Sequence, residues 1–448
     1  MTRRRATVVA TAAAVLAVTA ATGAAGWRQY QGRGPDVRAA AAEAAAGVRG
    51  MTPVGDPIPA EKGRRWSQAV TADGRVYAAA DDDIAGSWVV AVDARTGRKL
   101  WTSAKYGAFW DYGGPIAFPG GLLLKVEGLV HVLDPATGKL RWTLDWEPND
   151  ELVVDGETLV RVFRTGAAEG YDLASGRRLW SAGAGADRPV HSLGMQTGDY
   201  DEVRVSFGMA RITIADDDMV QVTKGGRVRV REMRTGKVLR TVEAGLPGAT
   251  SVSAYRGRVF TAFQDNDGNP WQLRVTDLNG GGKARVLYSR PIELESRKFG
   301  PCGADRICLG VYDDFKSETA AVLIDIAKGT TVTTAMARFQ VPAAADGRTS
   351  GVLISDVATS ELFDTSGRLL LAERAAAWWI DDRDVLWQVY GDEQVTLSAV
   401  STGTGRKTEL ATIAGRLGSC ALDSALLACA VSPAADQPSE LRVWRFAR

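Results

Sequence analysis

Histidine is scarce in this chain, with two residues among 448, and both lie outside any recognisable motif. A Ser-His-Asp or Cys-His catalytic site is therefore not expected. His131 lies in the alternating run Leu129–Leu133, which predicts a structural role. The sequence contains no G-x-S-x-G, P-loop or H-E-x-x-H motif. Paired carboxylates for glycosidic cleavage cannot be singled out among the many turn aspartates. The sequence predicts no catalytic residue.

A charge excess of either sign is also missing, because 54 Lys and Arg residues accompany 53 Asp and Glu residues. A near-neutral chain without a nucleic-acid motif is not expected to bind nucleic acid. Hydrophobic residues make up 45% of the chain and 49 residues are glycine. This composition allows a sizeable core with many turns, as in an all-β protein.

What the chain does contain is a short turn motif that returns eight times, about every forty residues. The first three copies share the pattern D-x-x-[TS]-G-x-x-x-W, and their marker residues are Asp93, Gly97 and Trp101, then Asp134, Gly138 and Trp142, then Asp172, Gly176 and Trp180. The weaker copies lack the tryptophan and begin at Glu232, Asp277, Asp325, Asp364 and Ser401. A fixed period of this size indicates stacked supersecondary units.

Each residue type in the turn motif has a physical role. The aspartate ends an alternating strand and can accept hydrogen bonds from backbone groups two residues on. The glycine supplies the positive φ that a tight hairpin needs. The tryptophan adds a large rigid surface, so Trp101, Trp142 and Trp180 are expected to be buried between neighbouring sheets. The motif is therefore interpreted as structural.

The units predict a closed all-β propeller with four antiparallel strands per blade. Segments such as Arg227–Arg231 alternate with period two, which excludes helical repeats. Eight blades are expected, with seven or nine as alternatives. The one long interval is assigned to a loop between blades at Ser181–Ala210. Residues 51–58 could close the ring by pairing with the last strand at 441–446.

The chain begins with three arginines followed by the apolar run 6–21. This pattern predicts that residues 1–34 are a signal peptide or, alternatively, an N-terminal membrane anchor. Residues 35–50 form an Ala-rich linker, and residues 51–448 are assigned to the propeller. With either leader, the propeller is expected to be extracytoplasmic.

Four cysteines agree with an oxidising compartment. Their spacing favours the disulfides Cys302–Cys308 and Cys420–Cys429, each across a hairpin, although four cysteines allow three connectivities. A zinc site is the competing interpretation, but the chain has no CxxC.

Calcium is the other metal to consider. The segment Asp265–Asn269 resembles the start of a calcium loop but lacks the remaining ligands at the required spacing. Acidic clusters at Asp81–Asp83, Asp216–Asp218 and Asp381–Asp382 are expected to be solvated, or else to form an acidic rim for cations or basic peptides. No metal site is predicted.

The turn motif resembles the repeat of pyrroloquinoline-quinone-type propellers. That superfamily includes quinone-dependent dehydrogenases and a cofactor-free branch similar to the outer-membrane assembly factor. The dehydrogenase branch implies a quinone stacked on tryptophan, a calcium ion and often an adjacent cysteine pair. This chain has no Cys-Cys dipeptide, and Trp378-Trp379 fits a core position better than a quinone platform. The resemblance therefore implies the cofactor-free branch.

The resulting expectation is a monomeric scaffold, without catalytic residues or cofactor, that binds a protein, peptide or cell-envelope component through its loops and central funnel. The alternative is a quinoprotein-like oxidoreductase or a carbohydrate-active enzyme with its site in the funnel.

Overall fold

A computed structural model describes the chain from residue 47 onward, with gaps. The described residues are 47–61, 64–81, 86–107, 114–126, 128–147, 149–195, 212–216, 218–244, 249–263, 270–290, 295–302, 305–313, 318–334, 337–338, 344–348, 350–355, 359–422, 425–433 and 438–448. The predicted leader 1–34 and most of the linker 35–50 lie outside them. No helix able to cross a membrane occurs in the described ranges.

Residues 49–447 form one compact unit built from β-strands. The first five blades, in chain order, consist of β3(Arg65–Ala72), β4(Arg75–Asp81), β5(Trp88–Asp93) and β6(Lys99–Thr102); β7(Pro115–Phe118), β8(Gly121–Val126), β9(Leu129–Leu133) and β10(Leu140–Asp145); β11(Glu151–Val154), β12(Thr158–Val162), β13(Ala168–Asp172) and β14(Arg178–Ala182); β15(Pro189–Gly194), β17(Asp218–Thr223), β18(Arg227–Glu232) and β19(Val238–Glu243); and β20(Ala249–Tyr255), β21(Arg258–Phe263), β22(Trp271–Asp277) and β23(Ala284–Arg290).

The remaining four blades complete the ring. They consist of β24(Glu295–Pro301), β25(Arg306–Asp313), β26(Glu318–Asp325), β27(Thr331–Thr333) and the short β28(Ala337–Arg338); β29(Ala344–Arg348), β30(Gly351–Ser355), β31(Ser360–Asp364) and β32(Leu369–Glu373); β33(Ala376–Trp379), β34(Asp384–Tyr390), β35(Gln394–Ser401) and β36(Lys407–Ala414); and β37(Arg416–Leu422), β38(Leu426–Ser432) and β39(Glu440–Ala447) with β1(Gly50–Pro53) and β2(Ile58–Pro59).

The ring closes by joining the two ends of the propeller. β1 pairs antiparallel with β39, setting Met51 opposite Phe446, and β2 pairs with the start of the same strand, setting Ile58 opposite Leu441. The predicted pairing of 51–58 with 441–446 is therefore present. One hydrophobic core, which includes Trp66, is shared by the first and last blades.

The described residues form nine sheets, so the expected count of eight blades was wrong and the alternative of nine is correct. The reason lies in the last blade. The turn motif connects the third and fourth strands of a blade, but the fourth strand of the ninth blade is β1, supplied from the other end of the chain. A blade closed in this way has no such turn, and eight motifs therefore accompany nine blades.

The expected loop between the third and fourth blades at Ser181–Ala210 was also wrong. That range contains the end of β14 and all of β15, the innermost strand of the fourth blade. The surplus residues lie inside the fourth blade, between β15 and β17. They lead to β16(Ile212–Ile214), which pairs in parallel with β11 and so covers the inner edge of the third blade.

Alternation along the strands places apolar side chains between the blades. Eight buried hydrophobic clusters occur in the described residues, and each joins two neighbouring blades. The eighth and ninth blades meet through β36 and β1. Because the strands run up and down, every blade presents two ends. We call them the turn face, with the first-to-second and third-to-fourth strand connections, and the loop face, with the other connections.

Both predicted disulfides are present. Cys302 is bonded to Cys308 and Cys420 to Cys429. Each bond crosses the first hairpin of its blade at the turn face, and Cys420 lies directly opposite Cys429 in the paired strands. No cysteine of the described chain is free, so the zinc interpretation of these cysteines is excluded.

Candidate functional site

The aspartates of the turn motif stabilise the turns in which they lie by accepting hydrogen bonds within them. The Asp134 carboxylate accepts hydrogen bonds from the amides of Ala136 and Thr137 at 2.9 Å and from the Thr137 hydroxyl at 3.1 Å. Asp93 and Asp172 accept equivalent bonds. A hydrogen bond from the Ser175 hydroxyl, with one from its amide, lowers the pKa of Asp172. These carboxylates therefore stabilise the turns in which they lie, which is a structural role.

The tryptophans of the motif connect one blade to the next. Trp101 donates a hydrogen bond from Nε1 to the Pro135 carbonyl at 3.2 Å, and its ring covers Gly138, where a Cβ atom would lie 2.4 Å from Cε3. Gly138 has φ 69°. Trp142 repeats this contact with the Leu173 carbonyl at 2.8 Å. We call this contact the inter-blade lock.

The lock continues where the tryptophan is lost. Trp180 bonds the Met233 carbonyl, and in the next blade Arg240 donates to the Leu278 carbonyl at 2.6 Å. Arg285 bonds the corresponding carbonyl of Ile326. At the ring closure, Arg445 is 3.5 Å from the Ala94 carbonyl of the first turn motif.

The three tryptophans are half-buried and not fully buried as expected. Each nevertheless lies between its own blade and the next, as predicted, because it packs against the hydrophobic cluster there and covers the neighbouring turn. The lock therefore accounts for the motif residues, and a binding site has to be sought elsewhere.

A cleft opens on the loop face between the third and fourth blades. Its volume is ≈ 330 Å³, and it is lined by Asn149, Glu151, Val162, Phe163, Arg164, Arg188, Pro189 and Val190. These residues come from the starts of the two innermost strands and from the turn after β12. None belongs to a turn motif. A concave surface that combines apolar and charged groups is the usual form of a binding site.

Phe163 is held in the cleft by a buried ion pair beneath it. Arg161 Nε lies 2.7 Å and Nη2 2.6 Å from Asp150 Oδ2, and both residues are buried. The Arg161 guanidinium carbon lies 4.3 Å from the centre of the Phe163 ring. This cation–π contact helps to fix the position of the ring at the cleft.

Gly166 allows the turn of the third blade to approach the fourth. A Cβ atom at this position would lie 2.9 Å from Pro189 Cδ and 3.2 Å from Arg188 Cβ, and its φ is 87°. A side chain would be strained there and would clash with both neighbours. The glycine therefore brings Arg164, two residues earlier, beside Arg188.

Asp187 is already committed to other groups. Its carboxylate accepts hydrogen bonds from the Gly225 amide at 2.8 Å and from Arg227 Nε at 2.7 Å. A hydrogen bond from the Thr223 hydroxyl, helped by those from Gly225 and Arg227, lowers the pKa of Asp187 to about 2. The Asp187 carboxylate therefore stays ionised, and it pairs with Arg227 and Arg229 of the fourth blade instead of with the arginines of the cleft.

The cleft arginines are left uncompensated. Arg164 and Arg188 are exposed, and neither forms an ion pair with any acid of the described chain. Glu151 accepts a hydrogen bond from the Ser192 amide at 2.7 Å across the two innermost strands. A third cation, the exposed Lys224, lies next to the cleft. Its backbone amide donates a hydrogen bond to the Arg188 carbonyl at 2.9 Å.

The histidines and paired tryptophans lie elsewhere. His131 Nδ1 is 3.3 Å from the Thr143 hydroxyl and its ring contacts Tyr106, while burial lowers its pKa. His191 Nε2 is 2.9 Å from the Ala249 carbonyl. Trp379 is buried in the core between the seventh and eighth blades, as the core interpretation of that pair predicted, whereas Trp378 is 39% exposed.

The acidic segments considered in the sequence are only partly described. Asp265–Asn269 and part of the clusters Asp81–Asp83 and Asp216–Asp218 lie outside the described residues. Asp381 accepts hydrogen bonds from the amides of Arg383 and Asp384, as a turn residue does. In the described ranges, no group of three or more His, Cys, Asp or Glu residues could hold a metal ion.

Comparison with known proteins supports the repeat assignment. Residues 85–275 match the family model described as outer membrane protein assembly factor BamB. This stretch contains the first four turn motifs and both walls of the cleft. It confirms the predicted resemblance to the assembly-factor type of quinone-propeller repeat. No curated protein sequence matches the chain.

Solved structures show the same architecture at low identity. BamB from Moraxella catarrhalis is 14% identical, with 88% of this chain and 98% of that chain covered and a TM-score of 0.44. A eukaryotic initiation factor is 13% identical, with 86% and 94% covered and a TM-score of 0.52. The second similarity supports the propeller fold and nothing about activity.

Proposed function

We propose that this protein is an exported scaffold that binds a protein partner through the cleft on its loop face and catalyses no reaction. The observation that carries the proposal is the grouping of Phe163, Arg164 and Arg188 at a concave surface where the two charges have no acidic partner among the described residues. Aromatic residues and arginine dominate the energetics of protein interfaces.

Two further features support this function. The assembly-factor family match covers both walls of the cleft, and that branch of propellers is cofactor-free. The two disulfides fit an oxidising compartment outside the cytoplasm. The turn motif residues are occupied by the inter-blade lock, which leaves the loop face as the surface available for recognition.

Site-specific photocrosslinking in the full chain tests the proposal. A benzoylphenylalanine at Thr165, an exposed residue next to Arg164 that leaves both cleft arginines in place, is compared with one at Arg98, an exposed arginine of the turn face. We expect ultraviolet-dependent capture of a protein from position 165 in the producing cells and little from position 98. Equal capture from both positions, or none from 165, would contradict the proposal.

The absence of catalysis is tested separately on the purified full chain. We expect its absorbance spectrum and calcium content to be those of a protein without quinone, before and after quinone is added. A dye-linked dehydrogenase activity that depends on added quinone would overturn the scaffold proposal.

A further inference from the structure

We infer that the cleft recognises an extended acidic polypeptide segment in which carboxylates flank an apolar side chain. This inference rests on the proposed function and names the chemistry of the partner. Two features of the cleft support it: Arg164 and Arg188 have no acidic partner among the described residues, and apolar side chains lie at the same surface.

The cleft carries a net positive charge because Arg164, Arg188 and the adjoining Lys224 outnumber Glu151, the one acid among the residues that line it. Asp150 is paired with Arg161, and Glu151 accepts a hydrogen bond from the Ser192 amide. Arg164 and Arg188 have no carboxylate within ion-pair distance in the described ranges. Guanidinium groups bind planar carboxylates through paired hydrogen bonds, and such charge-assisted bonds are the stronger ones. An anionic ligand is therefore favoured.

The apolar part of the cleft distinguishes among anions. Val162 and Pro189 line the cleft but are buried, whereas the side chains of Phe163 and Val190 are half-buried and keep accessible surface. A polymer of phosphates or of sugar acids would leave these side chains without a partner. An acidic peptide with a leucine or phenylalanine between its carboxylates would cover them and gain from burying apolar area.

The innermost edge of the third blade also constrains how the segment binds. β16 pairs with β11 through Leu152 opposite Ile212. The backbone of β11 at this point is therefore not available for the addition of a strand. On the third-blade wall, recognition therefore relies on side chains, among them Arg164 and the ring of Phe163.

The probe is a fluorescein-labelled twelve-residue peptide of alternating glutamates around a central leucine–phenylalanine pair, titrated into the full chain by fluorescence anisotropy. We expect saturable binding that weakens as salt is raised. In the double variant R164E/R188E we expect affinity to fall at least roughly tenfold, since hydrogen bonds to charged groups are lost. The matched variant R98E/R177E, with the same charge change on the turn face, should bind as the wild type does.

Three comparisons decide between ligand classes. Polyglutamate of equal charge should bind more weakly than the peptide. Equal binding would show that the apolar residues Phe163 and Val190 do not contribute to recognition. Stronger binding of inorganic polyphosphate than of the peptide, lost in R164E/R188E, would replace the peptide by a phosphate polymer. A lysine-for-glutamate version of the peptide should not bind, and its binding would contradict the charge argument.

The controls separate the two proposals. R164E/R188E is expected to keep the wild-type melting temperature, and R164Q/R188Q provides the same test if charge reversal prevents folding. If no peptide binds while crosslinking from position 165 still captures a protein, the acidic-segment inference is wrong and the scaffold function stands. If crosslinking from the cleft fails as well, the proposed function is wrong.

Discussion

The turn face and the loop face of the ring differ in how their sequence relates to their structure. On the turn face the same contact returns from blade to blade, with Trp101, Trp142 and then Arg240 bonding the equivalent carbonyl of the next turn. On the loop face the cleft is made of residues that occur once, such as Arg164 and Arg188. The repeated contact thus joins neighbouring blades, and the residues that occur once line the cleft for which we propose a role in recognition.

The change from tryptophan to arginine shows what the lock requires. Both side chains extend from the fourth strand of one blade and donate a hydrogen bond to the carbonyl after the acidic residue of the next. The indole adds an apolar surface over the glycine, and the guanidinium adds a second bond, as Arg240 does to Asn279 at 2.6 Å. A hydrogen-bond donor is therefore what the tryptophan and arginine forms of the lock share across the first five turn motifs.

The largest expected effect concerns ring closure. Deleting residues 439–448 removes β39, which separates β38 from β1 and carries Val443 of the shared core. We expect the whole propeller to lose cooperative unfolding and to aggregate, because two strand edges are exposed. Thermal unfolding and size-exclusion chromatography measure this. A truncated protein that stays monomeric with an unchanged midpoint would show that the ring is closed elsewhere.

The next effect concerns the inter-blade lock. Replacing Trp142 by Ala should cost about 2–3 kcal/mol in unfolding free energy, less than the 3–5 of a fully buried aromatic, because the ring is half-buried. Leu140→Ala, an exposed position of the same strand, is the matched control and should cost under about 0.5 kcal/mol. Denaturant unfolding measures the loss of unfolding free energy in both variants. Equal losses would show that the inter-blade lock does not contribute to stability.

The disulfides should contribute somewhat less than the tryptophan lock. Each closes a short loop, with a sequence separation of 6 for Cys302–Cys308 and 9 for Cys420–Cys429. Loop entropy predicts a loss of roughly 2 kcal/mol for each pair changed to serine. Thermal melts of the two double-serine variants give the values. Binding of the acidic peptide at the loop face should be unaffected. A loss of binding would show that recognition depends on the turn face as well.

The smallest expected effect is on acid stability. The pKa of Asp187 is lowered to about 2, from about 3.9 for an aspartate in an unfolded chain. Its contribution is therefore fully present above about pH 4 and is lost as the pH falls towards 2. Asp187→Asn should flatten the stability profile in this window alone. An unchanged slope in melts between pH 5 and 2 would mean that Asp187 is not stabilised by its hydrogen bonds.

The sequence alone predicted the blade and its closure. Alternation and the glycine of each turn motif defined the strands, and the pairing of residues 51–58 with 441–446 followed from a missing fourth strand. The ninth blade was not counted because its fourth strand comes from the opposite end of the chain. Strand β15 was missed because it lies in the same long interval as the insertion that follows it.

The cleft could not be predicted for a different reason. Arg164 and Arg188 lie in separate connections, and they meet only because Gly166 lets one turn pack on Pro189. A single arginine in a turn carries no periodic signal. The nearest sequence indication is the glycine after Arg164, and it is no different from many other turn glycines in the chain.

Hydrogen–deuterium exchange tests the division of the two faces most directly. The full chain is compared free and bound to the partner captured by the crosslinker at position 165. We predict slower exchange in residues 149–164 and 187–192, with unchanged exchange in the turn motifs that follow Asp93, Asp134 and Asp172. Protection of those turns, with no change around the cleft, would contradict the account.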